Sequence, residues 1–177
     1  MKLANGISLF RLLMLFLHIV ISSRLSPLVN ILLVILNYLF DCLDGVISRK
    51  FGGTSYGEFM DISVDRIITL GYFSFHTFNH TISIFFFLLI LLRNIFVDYL
   101  SYFELIESGK KERHKLNKDW SYWVYSSRIS KLINGGLQMM ISAWGFLTNV
   151  PIVIQLIFII NSYLRALPSV KKLITKL

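Results

Sequence analysis

Asp41-Cys42-Leu43-Asp44-Gly45-Val46-Ile47-Ser48-Arg49, followed after seven intervening residues by Gly57-Glu58-Phe59-Met60-Asp61-Ile62-Ser63-Val64-Asp65, sets four aspartates, two glycines and an arginine between long apolar runs. On helices, Asp41 and Asp44 stand three residues apart and Asp61 and Asp65 four apart, so each pair shares a face. At about 1.5 Å rise per residue, each pair is staggered by roughly 4.5 to 6 Å along its axis. Carboxylates in an apolar chain are expensive to place, which makes them functional candidates ahead of packing residues. The connection from Arg49 to Tyr56 is basic and carries Gly52 and Gly53, so it reads as a tight turn that brings the two acidic helix ends together.

The surrounding composition places this pair of helices in a membrane. Of 177 residues, 55% are hydrophobic and 16% charged, and the mean hydropathy is +0.64, far from an ordinary soluble domain. The expected fold is all-α and polytopic: six transmembrane helices in one bundle, a single domain over residues 1–177, with each span roughly 20 residues long. The apolar runs are Ile7 to Ser22, Leu28 to Ile47, Gly57 to Phe75, Ile82 to Phe103, Ser127 to Leu147, and a sixth that follows Asn149-Val150-Pro151 and ends near Leu167. The first run could mimic a signal peptide, but Asn5 and Arg11 have a better use, given below. Between the fourth and fifth runs lie Lys110, Lys111, Arg113, Lys115 and Lys118, then Trp120, Tyr122, Trp123 and Tyr125. That order suits an amphipathic helix lying along the membrane surface with an aromatic belt. The lone cysteine, Cys42, excludes an intrachain disulfide framework and is expected as a buried apolar filler.

The net charge of +8 reads as loop charge, with no nucleic-acid partner implied. With six spans and a cytoplasmic amino terminus, Lys2, Arg49, Lys50, the basic cluster and Lys171, Lys172 and Lys176 all fall on one side, and only Arg24 on the other. Both termini and the acidic site are therefore expected to face the cytoplasm, in a prokaryotic inner or plasma membrane. Substrates should include one from the cytoplasm and one already in the bilayer.

Oxygen donors without clustered His or Cys favour Mg2+ or Mn2+ over zinc. His18, His76, His80 and His114 are scattered and read as ordinary polar or interfacial residues. Two divalent ions roughly 3.5 to 4 Å apart form a clamp for displacement at phosphorus. Arg49 and the glycine-rich turn supply a cation and backbone amides for phosphate. The pattern suits phosphoryl transfer.

The two acidic segments resemble the signature of the CDP-alcohol phosphatidyltransferases, with seven of eight defining positions matched. Ser48 replaces the usual alanine, and the Arg49 to Gly57 interval is one residue short. Asn5-Gly6-Ile7-Ser8-Leu9-Phe10-Arg11 is similar to the family's first-helix opening, and the segment from Arg93 to Leu100 is similar to the fourth helix of the phosphatidylglycerophosphate synthase-like branch. The resemblance implies a six-helix membrane enzyme, commonly a homodimer, that moves a phosphatidyl group from a CDP-linked lipid to a small alcohol and releases CMP. It implies that Asp41, Asp44, Asp61 and Asp65 bind two Mg2+ or Mn2+ ions, with Asp65 also the general base. Gly45, Ser48, Arg49, Thr54, Gly57 and Asn5 would surround the CDP moiety.

Arg93, Arg128, Lys131 and Arg165 lie in cytoplasmic halves of later spans and are candidate ligands for a phosphorylated acceptor such as glycerol 3-phosphate or an inositol phosphate. Against the glycerophosphate assignment, Ser101 stands where that branch carries a second arginine. The alternative for Arg128, Lys131 and Arg93 is snorkelling to the headgroups. Two other readings are a divalent-cation transporter, which leaves Gly45, Arg49 and Gly57 unexplained, and a catalytically dead relative.

Overall fold

The computed structural model describes residues 2–51, 55–108, 128–165 and 167, with side chains described for 5–47, 60–61, 63–96, 132–165 and 167. Among these residues all regular structure is helical: α1 (Lys2–Ile21), α2 (Pro27–Phe51), α3 (Ser55–Phe78), α4 (Ile84–Ser108), α5 (Arg128–Trp144) and α6 (Ile152–Leu164), with a single 3-10 turn, Ser22–Arg24, between α1 and α2. The expected surface helix and its basic cluster lie outside the described residues.

Helix boundaries follow local chemistry. Ser26 caps α2, its hydroxyl accepting from the Val29 amide at 3.4 Å. Pro27 takes the first helical position, where a missing N–H is harmless. The α2–α3 connection is shorter than expected from Arg49 to Tyr56: α2 runs through Phe51 and α3 begins at Ser55, since none of Arg49, Lys50, Phe51, Ser55 and Tyr56 opposes a helix strongly. At its far end α3 closes with His80 in the left-handed region, φ 59°. The Thr81 amide reaches back to the His76 carbonyl at 2.9 Å, and the His80 amide to the Thr77 carbonyl at 3.0 Å, which is the Schellman pattern. Glycine is the residue that suits this position, so His80→Gly is expected to stabilise the protein by about 0.5 to 1 kcal/mol. A rise in the detergent-solution melting temperature supports this account of the cap, and a fall contradicts it.

The chain forms two compact units, one comprising Met1–Ser83 with Gln138–Val150, the other Ile84–Leu137 with Pro151–Leu177. In the first, α1 packs against both α2 and α3. The buried stripe of α1 is Ser8, Arg11, Leu15 and His18, continued by Ser22 in the 3-10 turn, at alternating three- and four-residue steps. That of α2 is Asn30, Val34, Asn37 and Asp44, and that of α3 includes Val64, Ile68, Thr69, Tyr72 and His76. The outward faces carry Leu13, Phe16, Leu17 and Val20 on α1 and Leu28, Leu32, Leu36, Leu39 and Leu43 on α2, all exposed. Polar residues point in and large apolar ones point out, the reverse of a water-soluble domain and the arrangement a bilayer demands. Asn5–Arg24, of 20 residues, and Pro27–Ile47, of 21, are long and apolar enough to cross a membrane; Ile84–Phe96 and Ile152–Leu164 are shorter apolar helices.

The same periodicity corrects the expectation for Cys42, which is exposed. One residue on from Asp41, it rotates away from the inward face and joins Leu39 and Val46 on the outward one.

His18 and His76, expected as ordinary polar or interfacial residues, are buried and hydrogen-bonded at the end of this unit away from the aspartates. His18 Nε2 donates to Asn30 Oδ1 at 2.9 Å, while the Tyr72 hydroxyl donates to His18 Nδ1 at 3.0 Å. His76 Nε2 donates to the Ser142 carbonyl at 2.8 Å. Phe146 stacks on His18, with ring centroids 5.0 Å apart, and meets His76 edge-on at 4.7 Å. In the second unit, α4 and α6 pack through Phe86 and Phe158, and the Tyr163 hydroxyl donates to the Leu89 carbonyl at 3.0 Å.

Candidate active site

The acidic end of the first unit is built around a residue of α1. Arg11 is only 2% exposed, and its guanidinium reaches three carboxylates from two helices. Nη1 lies 2.7 Å from Asp41 Oδ1 and 3.9 Å from Asp61 Oδ1, and Nη2 donates to Asp65 Oδ1 at 2.8 Å. The helical spacings explain the convergence: Asp41 lies near the end of α2, and Asp61 and Asp65 lie one turn apart near the start of α3. Asn37, one turn before Asp41, donates through Nδ2 to the Arg11 backbone carbonyl at 3.0 Å and fixes α1 to α2 at this level. Ser8, one turn before Arg11, donates to Asp44 Oδ2.

One ligand oxygen from each of Asp41, Asp61 and Asp65 lies within 4.8 Å of the other two. Their side chains are 36%, 42% and 40% exposed, so each carboxylate is part-exposed while the arginine they share is buried. The donor set fits a hard divalent cation: it is all oxygen, preassembled, and already arranged about a positive charge. Asp44, also expected as a metal ligand, is buried and held by Ser8. The remaining expected residues divide by location. Asn5 on α1 and Gly45 on α2 belong to the acidic unit and are half-buried. Ser48, Arg49 and Gly57 lie in helical backbone, but their side-chain surroundings, and Thr54 altogether, lie outside the described residues.

Of the candidate acceptor ligands, Arg93 is buried in the second unit, with Nε donating to the Ser162 carbonyl at 3.1 Å and Nη1 to Asn94 Oδ1 at 2.9 Å. Arg165 closes α6, its amide bonded to the Asn161 carbonyl at 3.2 Å. The side chains of Arg128 and Lys131 lie outside the described residues.

Sequence reasoning placed Arg11 in a motif without giving it a partner, and gave Asn37 no role. The signal was present: Ser8, Arg11, His18 and Ser22 form a polar stripe at helical spacing through an apolar span. Such a stripe needs polar partners on neighbouring helices.

No protein of curated description matches the chain. The family model for CDP-alcohol phosphatidyltransferase matches residues 1–167 and so takes in the acidic cluster, its arginine and all six α-helices among the described residues. The chain therefore belongs to the CDP-alcohol phosphatidyltransferase family, membrane-associated and divalent-metal-dependent phosphotransferases that move a phosphatidyl group from a CDP-alcohol to an alcohol.

Proposed function

We propose that the protein transfers the phosphatidyl group of CDP-diacylglycerol to a small phosphorylated alcohol such as glycerol 3-phosphate, releasing CMP, as a step of phospholipid biosynthesis. The observation that carries this reading is the convergence of Asp41, Asp61 and Asp65 on one point at the end of three packed helices. Asp41, Asp61 and Asp65, with Asp44 beside them, would hold the two Mg2+ or Mn2+ ions. When bound, these supply charge neutralisation for the diphosphate oxygens.

The protein's own groups do the rest. Asp65 takes the proton from the acceptor hydroxyl, and that oxygen attacks the lipid-side phosphorus. The bond from this phosphorus to the bridging oxygen breaks, and CMP leaves with the electron pair. Ser8 orients Asp44 through its hydroxyl, and Asn37 holds the backbone of Arg11 in register with α2. Gly45, Ser48, Arg49, Thr54, Gly57 and Asn5 receive the cytidine nucleotide, and Arg93, Arg128, Lys131 and Arg165 receive the acceptor's phosphate. An inositol phosphate, serine or another alcohol is the alternative acceptor. Membership of a phosphotransferase family displaces the transporter reading.

The whole chain acts as one catalytic domain with six spans, both termini and the site on the cytoplasmic side of a prokaryotic inner or plasma membrane, and works as a homodimer. The asymmetry of the basic residues supports that sidedness. Purified protein given Mn2+ or Mg2+, labelled CDP-diacylglycerol and a panel of alcohols is expected to release CMP only with metal, and fastest with a phosphorylated acceptor. Fastest release with an unphosphorylated alcohol removes the acceptor assignment, and no metal-dependent release across the panel removes the transferase reading.

A further inference from the structure

Arg11 stands where a bound cation would compete with it. Its Nη1 and Nη2 engage Asp41 Oδ1 and Asp65 Oδ1 at 2.7 and 2.8 Å, and Asp61 Oδ1 lies 3.9 Å from Nη1. These carboxylates are the same three whose oxygens lie within 4.8 Å of one another. A guanidinium and a divalent cation cannot draw on the same lone pairs at full strength, and as like charges they repel at such distances. The arginine is also built in. It is 2% exposed and its backbone carbonyl is bonded to Asn37, so the anchor is fixed while the long side chain above it has rotatable bonds.

We propose that Arg11 is an exchangeable internal counter-cation. Without metal it offsets part of the charge of Asp41, Asp61 and Asp65 and spaces them; when a divalent ion loads, the guanidinium gives up Asp41 and Asp65. Once released, it is a planar donor suited to a phosphate oxygen, and the diphosphate of a nucleotide is the anion this site receives. Metal and nucleotide binding are then coupled through one side chain, because nucleotide rewards the arginine for leaving the carboxylates. The inference rests on the reading of the three aspartates as metal ligands.

The sign of one measurement separates this role from a purely structural one. A residue that only orients metal ligands weakens metal binding by about 10- to 100-fold when removed. An internal competitor does the opposite. Mn2+ titration of the purified full-length protein, followed by the loss of the free-ion paramagnetic resonance signal, is expected to show Arg11→Gln binding Mn2+ about tenfold more tightly than the wild type without nucleotide. CDP is expected to tighten Mn2+ binding in the wild type and to have a much smaller effect in the variant. Arg11→Lys retains a charge and guards against loss of fold; it is expected to fall between the two.

Unchanged or weaker Mn2+ binding in folded Arg11→Gln and Arg11→Lys overturns the exchange. Failure of the wild type to bind Mn2+, with Asp41→Asn and Asp65→Asn indistinguishable from it, instead removes the metal site and the exchange with it. If Arg11→Gln does not fold, Arg11→Lys alone decides, since a competitor weakened to a point charge must bind Mn2+ more tightly than the wild type.

Discussion

Asp65→Asn is expected to lower the rate of metal-dependent CMP release by about 1,000-fold or more, while binding of the CDP-linked lipid stays measurable. General-base catalysis contributes about 10²- to 10⁴-fold, and Asp65 also stands among the metal-binding candidates. Asparagine keeps the side chain's size and one carbonyl oxygen, so the contact from Arg11 Nη2, now 2.8 Å from Asp65 Oδ1, can persist as a hydrogen bond from the charged guanidinium to a neutral acceptor. A folded but inactive enzyme is the expected product. Single-turnover measurements with pre-bound lipid locate the defect in chemistry, and wild-type turnover in this variant removes Asp65 as the base.

The second large effect lies at the other end of the same unit. A Cβ on Gly145 would stand 2.5 Å from His76 Nδ1 and 2.7 Å from Cε1 and Cγ of the same ring. The ring has little room to retreat, because Nε2 is bonded to the Ser142 carbonyl at 2.8 Å and Phe146 lies edge-on at 4.7 Å. Gly145→Ala is therefore expected to destabilise the protein by about 1 to 3 kcal/mol, the usual scale of overpacking in a filled interior. Thermal unfolding in detergent measures it. Adding His76→Ala removes the obstructing ring, so the double variant should lose less stability than the two single losses combined. Strict additivity would mean that the glycine is required for another reason.

These two residues mark what was legible in the sequence. Asp65 was found from spacing alone, because a carboxylate in an apolar run is rare and a four-residue step fixes which other carboxylate shares its face. The same argument found Asp41 and Asp61, which the structure brings together. Gly145 was invisible, since nothing in Trp144-Gly145-Phe146 says that a histidine from α3 will pack against it. The choice between ordinary polar and interfacial stays open in the sequence for His18 and His76 for a related reason. A histidine in an apolar span suits an interface or an interior equally well until its partners, Asn30, Tyr72 and the Ser142 carbonyl, are known.

Arg11 lies between these cases. Its cost in an apolar helix was legible, but its partners come from α2 and α3, and only the packing of three helices identifies them. Helix ends were read less well than helix cores. Apolar runs locate the part of a helix in hydrocarbon, whereas α2 and α4 continue beyond theirs to Phe51 and Ser108.

The contact between Arg11 and Asp41 also bears on how the chain enters its membrane. An arginine at the middle of an isolated helix opposes insertion by about 2.5 to 3.5 kcal/mol, and an aspartate by a similar amount. α1 carries the arginine in its middle turns and α2 the aspartate nearer its end, where the penalty is smaller, so each helix carries a cost that closing the pair offsets. Synthesis delivers α1 first, with its guanidinium unmatched until α2 emerges. Closing the Arg11–Asp41 pair therefore ties the burial of α1 in an apolar surrounding to that of α2.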